Sequence, residues 1–228
     1  MTTNRSASTA HRRLLGFGVW RWLLAALFAG VAIGAAVALL HRPAEGAPLA
    51  VSTLPGRPAA TWAPQRLRAP DFRLRDASGA PISLQRFRGR NVIVTFIDPV
   101  CTTLCPLEAQ ELDRALAFMP AARRPAILAV SVNPWAQTRA AFRRDAKKWR
   151  LTPQWHWAIG PYHGLAPVWK RYKVGVLDQK KVVDGIVVHN VSHTEASFVV
   201  DSHGYQRALF LWPFRGADVA AVLGRLSG

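Results

Sequence analysis

Residues 91–106 read "NVIVTFIDPVCTTLCP". The run from Val92 to Ile97 shows no apolar–polar alternation. β-branched and aromatic residues occupy both faces that a strand would present, the pattern of a strand covered on both sides. Cys101 and Cys105, the only two cysteines in 228 residues, come directly after it. Pro106 is next and suits the first turn of a helix, where a missing N–H leaves no bond unmade. The predicted order is therefore buried strand, sulfur loop, helix.

The flanking sequence extends this pattern. In "DFRLRDASGAPISLQRFRGR" (71–90), Phe72 and Leu74 alternate, Asp76–Gly79 reads as a turn, and Ile82, Leu84 and Phe87 come after it. Beyond the loop, Leu112, Ala115, Leu116 and Met119 recur at i, i+3, i+4, i+7, which predicts a helix. "AILAVSV" (126–132) is a second buried strand. Asn133–Pro134 reads as the N-cap and first turn of a helix with Phe142, Ala146 and Trp149 on one face. "WHWAIG" (155–160) reads as a short strand, and "HGLAPVWKRYKV" (163–174) as a helix around Pro167. "ASFVVD" and "YQRALFL" flank Asp201–Gly204 as a hairpin. Val219, Val222, Leu223 and Leu226 stripe a closing helix. The order predicts an α/β sandwich with a mixed central sheet flanked by helices.

The N-terminal side reads differently. Residues 22–40, "WLLAALFAGVAIGAAVALL", carry no charge. At 1.5 Å per residue they span about 28 Å, enough for the hydrocarbon layer of a bilayer. Residues 1–21 contain Arg5, Arg12, Arg13 and Arg21, so the positive-inside bias keeps them cytoplasmic and exports the chain beyond residue 40. The apolar stretch exceeds the roughly 7–15 residues of a signal-peptide core, which favours an uncleaved transmembrane anchor. Residues 41–69 are rich in Pro, Ala and Gly without a helical or strand period and read as a linker. Residues 70–228 are the expected folded domain, on the extracytoplasmic (periplasmic) side.

An exported domain meets an oxidising space, where two cysteines become a disulfide by default. A bridge closing so short a loop would stabilise little, so chemistry is the better reading. The formal charge is +17, but arginine is scattered and no nucleic-acid-binding signature is present. Nucleic acid is set aside in favour of an acidic docking partner or anionic lipid.

At a helix N-terminus a thiol loses its proton more easily. Two cysteines at i and i+4 can close a disulfide or hold one ion. Two thiolates and an imidazole make a soft, low-coordinate set suited to copper and borderline for zinc. Met1 and Met119 are the only methionines, which excludes a methionine-rich site. Outside the N-terminal segment the histidines are His156, His163, His189, His193 and His203. His193 stands out because it immediately precedes the strand expected to neighbour the cysteine strand; His189 is the reserve.

The succession "PDFRLRDASGAPISLQRFRG", "VIVTF", "CTTLCP", "AVSVNP" and "SHTEASFVVDSHG" resembles the Sco/SenC family over about residues 68–227. That family consists of membrane-anchored thioredoxin-like domains associated with copper delivery to cytochrome c oxidase. The resemblance implies a thioredoxin-like fold behind one N-terminal transmembrane helix, with Cys101, Cys105 and His193 as copper ligands. It also implies a metallochaperone whose partner is a copper-accepting oxidase subunit or another copper client. The alternative is a membrane-anchored thiol–disulfide oxidoreductase in which Cys101 and Cys105 form the redox pair.

Overall fold

In a computed structural model, residues 57–226 and the backbone of Ala50–Val51 are described. In chain order the first strands are β1 (Ala50–Val51), β2 (Ala60–Thr61), β3 (Leu74–Asp76), β4 (Pro81–Ile82), β5 (Val92–Ile97), β6 (Ala126–Ser131) and β7 (Trp155–Ile159). After them come β8 (Val176–Val183), β9 (Ile186–His193), β10 (Ala196–Val200) and β11 (Gln206–Leu211). The helices are α1 (Leu104–Ala117), α2 (Arg139–Trp149), α3 (Tyr162–Arg171) and α4 (Gly216–Leu226).

Nine strands form one sheet in the order β1-β2-β11-β10-β5-β6-β7-β3-β4. β5, β6 and β7 run parallel, while β10 is antiparallel to β5 and β3 to β7. Every residue of β5 and β6 is buried. Alternate residues serve opposite faces. Val92, Val94 and Phe96 join α3 residues Leu165, Val168 and Trp169 in one apolar cluster. Ile93 and Ile97 join Leu112 and Leu116 of α1, Phe142 and Trp149 of α2, and Val219 and Leu223 of α4 in the other. The predicted mixed sandwich is thus a sheet with α1, α2 and α4 on one side and α3 on the other.

Three sequence readings need correction. Residues 41–69 do not wholly lie outside the domain: β2 pairs with β11, and Ala60, Trp62 and Ala69 are buried. Two strand residues are too few to show a period. Asn133 does not cap a helix. Its side chain accepts from the Trp135 amide at 3.2 Å and donates to Asp98 at 3.1 Å, forming an Asx turn. α2 begins later, where the Thr138 hydroxyl accepts from the Ala141 amide at 3.1 Å. Finally, β8 and β9 form a separate hairpin that the sequence reading missed. Its signal was Asp184–Gly185 between β-branched residues: φ is 51° at Asp184 and 77° at Gly185, as a tight two-residue turn needs.

The predicted anchor, 22–40, lies outside the described residues. Among the described residues no helix is long and apolar enough to cross a membrane.

Candidate metal centre

Register brings the site together. β10 lies antiparallel to β5 with Ser197 opposite Thr95. The residues just before β10 therefore sit beside the exit of β5, where the cysteine loop begins. β9 delivers His193 to the same place, and α1 starts there with Cys105 in its first turn.

Cys105 Sγ lies 3.6 Å from His193 Nε2 and 3.8 Å from Glu195 Oε1. His193 Nε2 is 3.4 Å from that same oxygen. Among the described residues this trio is the one His, Cys and acidic group whose donor atoms all lie within 4.8 Å of one another. His193 Nδ1 sits 3.1 Å from the Thr194 carbonyl. A carbonyl only accepts, so Nδ1 carries the proton and Nε2 turns its lone pair toward the sulfur, the usual orientation of a metal-binding imidazole.

Cys101 stands at the rim, outside that trio. It is half-buried and Cys105 is fully buried; both are free thiols. The Cys105 amide donates to Cys101 Sγ at 3.5 Å, and the Thr103 hydroxyl is 3.6 Å away. Hydrogen bonding from the Cys105 thiol, with the Cys105 and Thr103 amides assisting against burial, pulls Cys101 down to about 4. The same contact, burial and the Glu195 charge push Cys105 upward. The pair keeps one proton, on the inner sulfur.

Glu195 was absent from the sequence reading, although it stands only two residues after His193 and directly before β10. Behind it lies Glu108 of α1, fully buried. Glu108 accepts from the Thr95 hydroxyl at 2.8 Å and the Ser197 hydroxyl at 2.7 Å. Burial, and then the Glu108 carboxyl, push the Glu195 carboxyl well above the ordinary range. Burial likewise raises Asp98, against bonds from the Val100 amide and the Asn133 side chain. A cavity of about 340 Å³ opens onto Asp98, Cys101, Thr103, His189, His193 and Glu195.

Of the other histidines, His189 reaches this cavity without joining the donor trio. His189 is engaged with Asp178 at 2.9 Å and stacks on Trp135 at 4.0 Å between ring centroids. His203 is exposed in the β10–β11 turn, and His156 packs against Phe87.

The thiol asymmetry carries a direct expectation. Alkylation by iodoacetamide should fall on Cys101 and stay nearly constant from about pH 8 to about pH 5, because an acidic thiol is already ionised there. It should decline only as the pH approaches the Cys101 value of about 4. Mass-spectrometric mapping of the modified cysteine across pH checks both points; a decline beginning near pH 8 would contradict the site's electrostatics.

The SCO1/SenC family model matches residues 61–226, a span holding both cysteines and His193. The chain belongs to the SCO1/SenC family. Structural likeness agrees on the thioredoxin-like fold. Apo Sco1 from Thermus thermophilus is similar with a TM-score of 0.61 at 25% identity, covering 73% of this chain and 95% of that one. Copper-bound ScoI from Bradyrhizobium japonicum gives 0.58 at 21% identity, over 70% of this chain and 99% of that one. BsSco, a Sco-family cytochrome c oxidase assembly protein in which a disulfide switch is identified, gives 0.56 at 16% identity, over 73% and 97%. No match is found among curated proteins.

Proposed function

We propose that this SCO1/SenC protein binds copper through Cys101, Cys105 and His193 and delivers it to a respiratory oxidase during assembly. In this reading residues 22–40 hold it at the extracytoplasmic face of the membrane. The observation that carries the proposal is the approach of Cys105 Sγ to His193 Nε2, 3.6 Å apart across 88 positions of sequence. Cys101 is bonded to the same helix start. Copper-bound relatives and the family membership support it.

The donor chemistry fits a carrier. An already ionised Cys101 offers a thiolate to an incoming ion, while Cys105 must release its proton, so loading is coupled to proton release. Two sulfurs favour Cu(I), and one imidazole extends the range to Cu(II). Low coordination leaves room for an acceptor's ligand to attack, so copper can pass by exchange without becoming free. A Cys101–Cys105 disulfide removes both sulfur donors and switches loading off.

The sulfur asymmetry favours a second reading, a thiol–disulfide oxidoreductase. The Cys101 thiolate would attack a client disulfide, forming a mixed disulfide and releasing one client thiolate. Cys105, having given up its proton, would then attack Cys101 Sγ. That step closes the internal disulfide and leaves the client with two more electrons as a dithiol.

Titration with Cu(I) and Cu(II) of the reduced and the oxidised protein, beside His193→Ala, separates the two. Delivery predicts copper on the reduced form alone. It also predicts a Cu(II) affinity at least about 10-fold weaker without the imidazole, with dithiol exchange kept. Reduced wild type that takes no copper would leave the oxidoreductase.

A further inference from the structure

We infer that the Glu195 carboxylate is a fourth, oxygen donor to the copper held at this site, one that favours Cu(II) over Cu(I). The inference rests on the copper-binding reading above.

Position comes first. Glu195 Oε1 already lies 3.8 Å from Cys105 Sγ and 3.4 Å from His193 Nε2. Cys105, His193 and Glu195 hold their donor atoms within 4.8 Å of one another, a grouping that does not include Cys101. His193 ends β9 and Glu195 directly precedes β10, and both reach Cys105 Sγ across this short connection.

Burial is the second observation. Glu195 Oε2 and Glu108 Oε2 are both buried without a hydrogen-bond partner. The two carboxyl groups are packed together, with the Thr95 and Ser197 hydroxyls donating to Glu108 and Cys105 Sγ 3.8 Å from Glu195 Oε1. Among the described residues no lysine or arginine forms an ion pair with either, and the nearest ring nitrogen to Glu195 is His193 Nε2 at 3.4 Å. Leaving a buried carboxyl oxygen without a partner is costly. A cation seated between Cys105, His193 and Glu195 gives the Glu195 carboxyl a partner that the described residues do not supply.

Ligand hardness then sets the preference. Thiolates suit Cu(I), whereas carboxylate oxygen is hard and adds little to a Cu(I) site. Glu195 therefore acts chiefly on the cupric state.

The test uses the full-length protein, purified with its thiols reduced, as wild type, Glu195→Ala and Glu195→Gln. Glutamine keeps the shape of the side chain and so separates loss of the donor from loss of packing. Affinities for Cu(II) and Cu(I) are measured by competition, with electron paramagnetic resonance of the cupric form. Both variants are expected to lose about 10- to 100-fold in Cu(II) affinity and to show altered copper hyperfine splitting, with Cu(I) affinity within about threefold of wild type, as soft-donor selection implies. Unchanged Cu(II) spectra and affinities in both variants would overturn the inference while leaving the copper site standing. Equal losses for both oxidation states would also overturn it, as the mark of a loosened pocket. Wild type that binds neither ion would overturn the copper reading itself, and this inference with it.

Discussion

Cys105→Ala is expected to abolish usable copper binding and, at the same time, to raise the pKa of a cysteine it does not replace. Cys105 contributes the buried sulfur that faces His193 Nε2 at 3.6 Å. Without it, Cys101 and the imidazole lose the atom that joins them. Affinity for Cu(I) should fall by more than about 100-fold, beyond the cost of losing an outer-shell partner. The second effect comes from the electrostatics. The largest influence holding Cys101 near 4 is the hydrogen bond from the Cys105 side chain. Alanine removes that donor but keeps the amide that donates at 3.5 Å. The Cys101 pKa should therefore climb toward, without reaching, the ordinary thiol value of about 8.5. Alkylation at about pH 6 slows accordingly, because the thiolate fraction falls as the pKa rises through the working pH. The ultraviolet absorbance of the thiolate against pH reads this directly. A variant that keeps copper, or keeps an acidic Cys101, would show that the two sulfurs act independently.

The second large effect is on stability. Phe96 is fully buried on β5, with its ring 5.5 Å from that of Tyr172 and 6.2 Å from that of Phe198, centroid to centroid. Phe96→Ala should cost about 3–5 kcal/mol, from lost transfer energy and a cavity that β5 and β10 cannot close. Against a typical total of about 5–15 kcal/mol, that is a large fraction. Phe118, 66% exposed just beyond α1, is the control: its replacement by alanine should move stability by less than about 0.5 kcal/mol. Urea unfolding of both variants makes the comparison. Equal midpoints would mean that β5 is not the centre of the fold.

The legible parts of the sequence were those where burial imposes a period. β5 and β6 are covered on both faces and so consist of unbroken apolar runs. α1, wedged against the sheet, shows its stripe through Leu112, Ala115 and Leu116. β8 and β9 pair with each other and expose Val182, Val183, Ile186 and Val187. With little burial there is no alternation to read, and only Asp184–Gly185 marked the turn. The site divided in the same way. Cys101 and Cys105 were plain from their number and their place after a buried strand. His193 was reached through its distance from β10. Glu195 went unseen because a lone glutamate next to a strand is ordinary on a surface, and only the register of β10 against β5 places it inside. Glu108 was hidden for a related reason: on α1 its spacing fits the buried stripe, yet its chemistry does not.

The β8–β9 hairpin makes the centre separable. Its root is fixed, with Val176 and Val191 packed against the core, while its far end stands clear. It shares no ladder with the nine-stranded sheet. The imidazole thus rides on a latch, whereas the sulfurs belong to the frame. Lifting that latch undoes one side of the clasp at the energetic cost of a local opening rather than of unfolding. For the copper carrier proposed above, release would then require the hairpin to part from the sulfurs and from the Trp135 ring that His189 stacks on, and nothing more.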